Sequence, residues 1–212
     1  MTVIKKEISR VDLSLILASS SPYRARLLQR LQVPFTAIAA NVDENPLKDE
    51  LPQALVQRLS ESKAQLISQR HPDSWVIGSD QVAVCDGKII GKPGNHENAV
   101  RQLTSFSNKT VEFMTGIAIA HHNKKILRFK QSSTFVVFKS LSFKVINSYL
   151  LKDKPYDCAG SFKVESLGIL LFEKILSEDP TCLEGLPLIT LCELMAQEGI
   201  DLLEQSRSTP PT

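Results

Sequence analysis

The stretch LSLILASSSPYRARLL, residues 13–28, passes from a short apolar run through three serines and a proline into a basic amphipathic segment. The apolar run is compact, as a buried strand is, and it breaks at the serines. Ser21 before Pro22 then supplies a helix cap and a first-turn proline, so PYRARLLQRLQ reads as a helix. A strand that turns through serines into a helix is the start of an α/β unit. Residues 34–50 read as loop with one short extended piece. A second helix is predicted over 52–70, with Leu55, Leu59, Leu66 and Ile67 on one face. SWVIGSDQVAVC (74–85) predicts a strand, closed by an Asp86-Gly87 hairpin turn.

Further along, a helix is capped near Asn95. VEFMTGIAIA (111–120) and ILRFKQSSTFVVF (126–138) predict an antiparallel pair joined by HHNKK. A short helix starts at Ser142, GILLFEKI (168–175) predicts a strand, and LPLITLCELMAQEG (186–199) a helix ended by Gly199. This order implies a mixed α/β fold rather than a strictly alternating parallel one. A chain of 212 residues suits one domain, here 1–212 with flexible tails at 1–13 and 203–212.

Lys+Arg 25 against Asp+Glu 23 leaves a net charge of +2, which argues against a long nucleic-acid partner. Hydrophobic content of 42% excludes disorder for most of the chain. No apolar run reaches the ~18 residues of a membrane span. The N-terminal MTVIKKEISRVDLS has no apolar stretch after its lysines, unlike a signal peptide, so the expected location is the cytoplasm. Cys85, Cys158, Cys182 and Cys192 lack zinc-site spacing and read as reduced, mostly buried thiols.

The informative residues are polar ones that interrupt apolar patterns. Arg24 falls on the face of Leu27, Leu28 and Leu31, in a first turn where free N–H groups favour an anion. With Ser19, Ser20 and Ser21 it forms a candidate phosphate cradle; alternatively, its stem snorkels past the leucines to a surface carboxylate. Lys63 interrupts the stripe of the second helix, either facing a ligand pocket or laying its stem over the core. Asp80 shares a strand face with Val76, Val82 and Val84, where an ionised carboxylate is costly unless paired, hydrogen-bonded or metal-bound. It is therefore a candidate general base or Mg²⁺ ligand. Asp43-Glu44 is a further carboxylate source or a solvated turn. Lys92 in GKP, and Lys163 with Glu165 in GSFKVE, add weaker candidates. Hydroxyls at a helix N-terminus, several cations and a few carboxylates are the inventory of phosphoanhydride chemistry. No P-loop or GxGxxG fingerprint is present.

The blocks LILASSSPYRARLL, VDEN, LSESKAQ, GSDQV, GKP and CAGSFKVESLG resemble, in order and spacing, the Maf family over roughly residues 15–200. These are nucleotide pyrophosphatases related in fold to the inosine-triphosphate pyrophosphatases. The resemblance implies an elongated two-lobed mixed sheet with flanking helices and a central cleft. It implies hydrolysis of a nucleoside triphosphate to the monophosphate and pyrophosphate with a divalent cation, Mg²⁺ or Mn²⁺. The pairing of Gly78-Ser-Asp-Gln-Val82 with the later Gly-Ser-Phe-Lys-x-Glu looks like the branch acting on 7-methyl-GTP. The dTTP/UTP-cleaving members carry Ala-Asp-Thr where this chain has Ser79-Asp80-Gln81.

By this likeness Asp80 is the proton acceptor, and Tyr23, Gln81 and Glu165 select the base. Ser19, Ser21, Arg24, Lys63 and Lys92 hold phosphates, and Glu44 with Asp80 faces the metal. Tyr23, where many members have arginine or tryptophan, and Lys154, where many have glutamate, depart from the family pattern. The alternatives are a broader or dTTP/UTP-type house-cleaning pyrophosphatase, and a non-enzymatic cell-division regulator using the basic KKILRFK (124–130). That piece otherwise reads as a solvated edge strand blunted by lysines. A homodimer is the expected assembly.

Overall fold

The computed structural model of the protein describes residues 13–206; residues 1–12 and 207–212, most of the two tails read from the sequence, lie outside the described residues. A seven-stranded mixed sheet is flanked by helices on both faces. Strand β1 (Leu15–Leu17) leads into helix α1 (Pro22–Gln29), whose cap is Ser21 and whose first residue is Pro22. There follow β2 (Thr36–Ala37), α2 (Pro52–Arg70), β3 (Trp75–Cys85), β4 (Lys88–Ile90), α3 (His96–Phe106), β5 (Thr110–His121) and β6 (Ile126–Phe138). The chain ends with α4 (Phe143–Asp153), β7 (Phe172–Ser177), α5 (Leu188–Gln197) and α6 (Leu202–Gln205). The order across the sheet is β2-β1-β3-β5-β6-β7.

Only β2 and β3 run parallel to β1; the other pairings are antiparallel. The mixed character follows from the connections. The β3–β4 hairpin closes through Asp86 (φ 50°) and Gly87 (φ 73°), a pair of left-handed residues that a two-residue hairpin turn requires.

Strand β3 is the axis of the molecule. One edge pairs continuously with β5, from Val76 to Val84. The other edge is divided, since β1 covers Trp75–Ile77 and β4 covers Ala83–Cys85. Gly78–Val82, the polar centre of the strand, therefore has no strand on that side. The two largest cores flank this gap: one gathers Leu17, Leu27, Ile77, Ile119 and Leu191, the other Ala83, Phe106, Phe113, Phe138 and Phe162. Apolar ends and a polar middle on one strand leave a cleft where the cores part.

Helix α2 packs against the opposite face of β3. A Cβ on Gly78 would lie 2.2 Å from the Ser60 carbonyl oxygen and 2.7 Å from the Ala64 nitrogen. Glycine there lets helix and strand backbones touch, and this brings Lys63 over Asp80.

Several boundaries differ from the sequence reading, among them the end of α1 at Gln29 rather than Gln32 and the narrower span of α5. In GILLFEKI the first half is a 3₁₀ turn, Leu167–Leu171, and β7 starts only at Phe172. The cause is the chain reversal at Gly168, whose amide donates to the Lys163 carbonyl at 3.0 Å. At the C-terminus, α6 extends into the stretch read as a tail from 203, because Asp201 caps it and Leu202 is buried against the first core. KKILRFK lies where β6 has no outer strand, since β7 pairs only with Thr134–Phe138. Its Arg128 and Lys130 pair with Glu198 (2.9 Å) and Glu193 (2.8 Å) beside α5. That is the charged edge read from the sequence.

Candidate functional site

A cleft of about 460 Å³ opens beside the divided edge of β3. This falls within the range of small-molecule sites. It begins at the carboxyl end of β1, where open α/β sheets characteristically bind ligands. Ser19, Ser21, Tyr23 and Arg24 line it from the β1–α1 turn, Glu44 and Lys92 from loops, and Lys63 and Gln81 from α2 and β3. Glu165 lines it from the segment after Phe162.

Nine of the ten residues singled out from the sequence thus share one cavity. Asp80 is the exception, because it stands behind Lys63 rather than in the wall.

One end of the cleft is cationic. The Ser19 hydroxyl accepts from the Ser21 amide (3.1 Å), and the Ser21 hydroxyl accepts from the Arg24 amide (3.4 Å) as the α1 cap. Both hydroxyl protons remain available to an anion. Arg24 donates through Nε to the Gly185 carbonyl at 2.8 Å, and its terminal amino groups have no hydrogen-bond partner among the described residues. Burial pushes the Arg24 pKa down, with Asp80 and Glu44 opposing. The snorkelling alternative for Arg24, ending in a surface ion pair, is not what the structure adopts.

Lys63 is different. Its Nζ lies 2.7 Å from Asp80 Oδ1 and 2.5 Å from Glu44 Oε1, with the side chain 5% exposed. Its burial is accounted for by these two carboxylates, so the case for an anion rests on Arg24 and the serines. Burial acts to raise the Glu44 pKa, but the Lys63 bond and charge, helped by Lys92 and Arg24, hold it below the usual value.

Two carboxylates from separate elements therefore converge on one cationic atom. Such hard oxygen donors suit Mg²⁺ or Mn²⁺, which are commonly held by one or two carboxylates completed by substrate phosphates. No cluster of three or more metal-ligating side chains occurs among the described residues.

The other end is aromatic and apolar. Tyr23 has the Arg26 guanidinium 5.4 Å from its ring centroid, and Phe113 meets Phe162 edge-on at 5.2 Å. Gln81 points away from Lys63, as strand alternation requires. The two N–H groups of its amide face three acceptors: Thr115 Oγ1 (2.9 Å) and the carbonyls of Cys182 (3.0 Å) and Leu183 (3.3 Å). Glu165 sits exposed at the rim.

The sequence reading missed the segment 182–187. Gly185, with φ 99°, turns its carbonyl to accept from Arg24 Nε, and that carbonyl also lies 3.0 Å from the buried Ser79 hydroxyl, which has the Gly116 carbonyl at 2.8 Å as its nearer acceptor. Glu184 pairs with Arg30 at 3.0 Å, which ties the same segment to α1. The available signal was Gly185-Leu-Pro187, a turn signature between apolar runs. Phe113 and Phe162 were read only as strand and motif residues.

The loop that carries Glu44 is held next to it, at Asn45, by a fork. Arg58 on α2 donates to Glu50 through Nε (2.7 Å) and Nη2 (2.8 Å), and to the Asn45 carbonyl (3.1 Å). The Arg58 bond is the main cause that lowers the Glu50 pKa to about 2. A depressed carboxylate contributes stability above its unfolded value and loses it as pH falls towards the folded one. The gap in Tm between wild type and Glu50→Gln should therefore be widest near neutrality. It should shrink as pH falls from 4.5 towards 2, which thermal melts across that window will read.

A family model described as "Maf-like protein" matches residues 14–198. A protein from Colwellia psychrerythraea named 7-methyl-GTP pyrophosphatase is 49% identical over 198 residues, 92% of this chain and 98% of its own length. One of the same name from Vibrio vulnificus is 48% identical over 189 residues, 89% of this chain and 97% of its own. Among solved structures, the Staphylococcus aureus Ham1 protein superposes with a TM-score of 0.51 at 12% identity, covering 88% of this chain and all of that one. That likeness concerns the fold alone.

Proposed function

The chain belongs to the Maf-like protein family, and from that premise we propose that it hydrolyses 7-methyl-GTP to 7-methyl-GMP and pyrophosphate. The observation that carries this reading is the two-ended cleft: a cationic helix N-terminus at one end, an aromatic end with hydrogen-bonding side chains at the other. The triphosphate takes the first. Arg24 presents its unpaired amino groups to it, Ser19 and Ser21 donate hydroxyl protons, and Lys92 approaches from the rim.

The base takes the second. N7-methylation makes the purine cationic, and an aromatic face attracts such a ring. Arg26 occupies one side of Tyr23, so the base stacks on the other. Gln81 and Glu165 read its edge.

Chemistry follows from the pair Lys63–Asp80. Phosphate oxygens draw the Lys63 ammonium away from Asp80, whose carboxylate then accepts a proton from the attacking water. The water oxygen bonds to the α-phosphorus, the bond to the bridging oxygen breaks, and pyrophosphate leaves with the electron pair. Arg24 and Lys92 balance the charge that develops on it. Glu44 and Asp80 are the residues that would hold a divalent cation, which would supply further neutralisation of the phosphate charge.

The test is a panel of modified and ordinary nucleoside triphosphates with Mg²⁺ or Mn²⁺ and identification of the products. Pyrophosphate release with 7-methyl-GTP as a leading substrate is the expected outcome. Absence of cleavage across the panel overturns it.

No helix among the described residues is long and apolar enough to cross a membrane.

A further inference from the structure

We propose that Thr115 is a positioning residue which, with the main-chain carbonyls of Cys182 and Leu183, makes Gln81 an acceptor-only reader of the base edge. This rests on the cleft being a nucleotide site.

The orientation of an amide follows from its neighbours. Gln81 Nε2 lies within hydrogen-bond distance of two backbone carbonyls, at 3.0 Å and 3.3 Å, and carbonyls only accept. They favour the NH₂ on that side, although the Leu183 contact is long. Thr115 removes the remaining freedom. Its hydroxyl has one proton, and it donates that proton to the Cys182 carbonyl at 3.1 Å. Towards Gln81, at 2.9 Å, it can then only accept. A flipped amide would set its oxygen against two carbonyl oxygens and a hydroxyl that has no proton to give.

With the NH₂ engaged on the protein side, Oε1 has no protein partner among the described residues, and Gln81 lines the cleft. The carboxylate side chain of Glu165 likewise brings acceptor oxygens to the cleft. Two acceptors call for a base edge that donates. Guanine offers N–H groups at N1 and N2, whereas an edge carrying acceptors at those places meets repulsion. Sites built to satisfy a substrate N–H discriminate strongly against analogues lacking it, because the buried partner is left unpaired.

Thr115 itself is fully buried on β5, in register with Gln81. It cannot touch a ligand and acts only through the glutamine.

The test is calorimetric binding of three product nucleotides to the full chain: 7-methyl-GMP, 7-methyl-IMP (no N2 donor) and 1,7-dimethyl-GMP (no N1–H). In the wild type at least one analogue should bind about tenfold more weakly than 7-methyl-GMP, the worth of one satisfied hydrogen bond. In Thr115→Val, which keeps the branched shape and loses the hydroxyl, that penalty should shrink by roughly threefold to tenfold. Thr115→Ser, which restores the hydroxyl, should bring the penalty back, whereas a purely structural effect would weaken all three nucleotides alike.

Equal binding of all three by the wild type overturns the inference, as does a penalty unchanged in Thr115→Val. Because binding rather than turnover is read, a protein that binds selectively but cleaves nothing would sink the hydrolysis reading and leave this one standing.

Discussion

Asp80→Asn should cut the rate of hydrolysis at least about a hundredfold while leaving the fold in place. Asparagine is isosteric, and its amide oxygen can still accept from Lys63, whose charge Glu44 continues to balance at 2.5 Å. The buried ammonium is therefore not stranded, which is the condition that makes breaking a buried pair costly. What disappears is the basicity. A positioned general base contributes a factor of ~10²–10⁴, so kcat should fall by about that much with Tm close to the wild type. Steady-state rates with calorimetric melts separate the two effects. Near-wild-type turnover in the variant would remove Asp80 from the reaction.

Gly78→Ala should act on the fold and the site together. The added methyl would stand 2.2 Å from one backbone atom of α2 and 2.7 Å from another, and neither is the end of a flexible side chain. The helix has to lift from the strand, which also separates Lys63 from Asp80. Overpacking of a close-packed contact typically costs 1–3 kcal/mol, and a backbone collision belongs at the upper end, so about 3 kcal/mol is expected. Denaturant titration checks the stability. A variant as stable as the wild type would show that α2 has room to move.

Local features were legible in the sequence and long-range ones were not. Pro52–Arg70 is a helix over the range its periodicity predicts, and Ser21, Asn95 and Ser142 cap helices as their side chains suggest. Such signals lie within a few residues of their effect. Asp80 was recognisable because a carboxylate among valines needs a partner. That the partner is Lys63, and that Lys63 screens Asp80 from the cleft, depends on α2 crossing β3 at Gly78, a contact between residues 17 positions apart.

The Asp86-Gly87 turn signalled that β4 folds back on the end of β3, but that β1 takes the other end of the same edge had no local signature. Nor did the use of Gly185's carbonyl by Arg24, 161 residues away, because backbone acceptors look alike in any sequence. The 3₁₀ turn before β7 was read as strand because Ile169, Leu170 and Leu171 form a short apolar run. Its cause is the Gly168 reversal onto Lys163.

The central claim is attack of water at the α-phosphorus of 7-methyl-GTP with pyrophosphate as leaving group. Turnover in oxygen-18 water followed by mass spectrometry of both products reads it directly. The account predicts one labelled oxygen in 7-methyl-GMP and none in pyrophosphate. Label in the pyrophosphate, or release of single phosphate in its place, would contradict it.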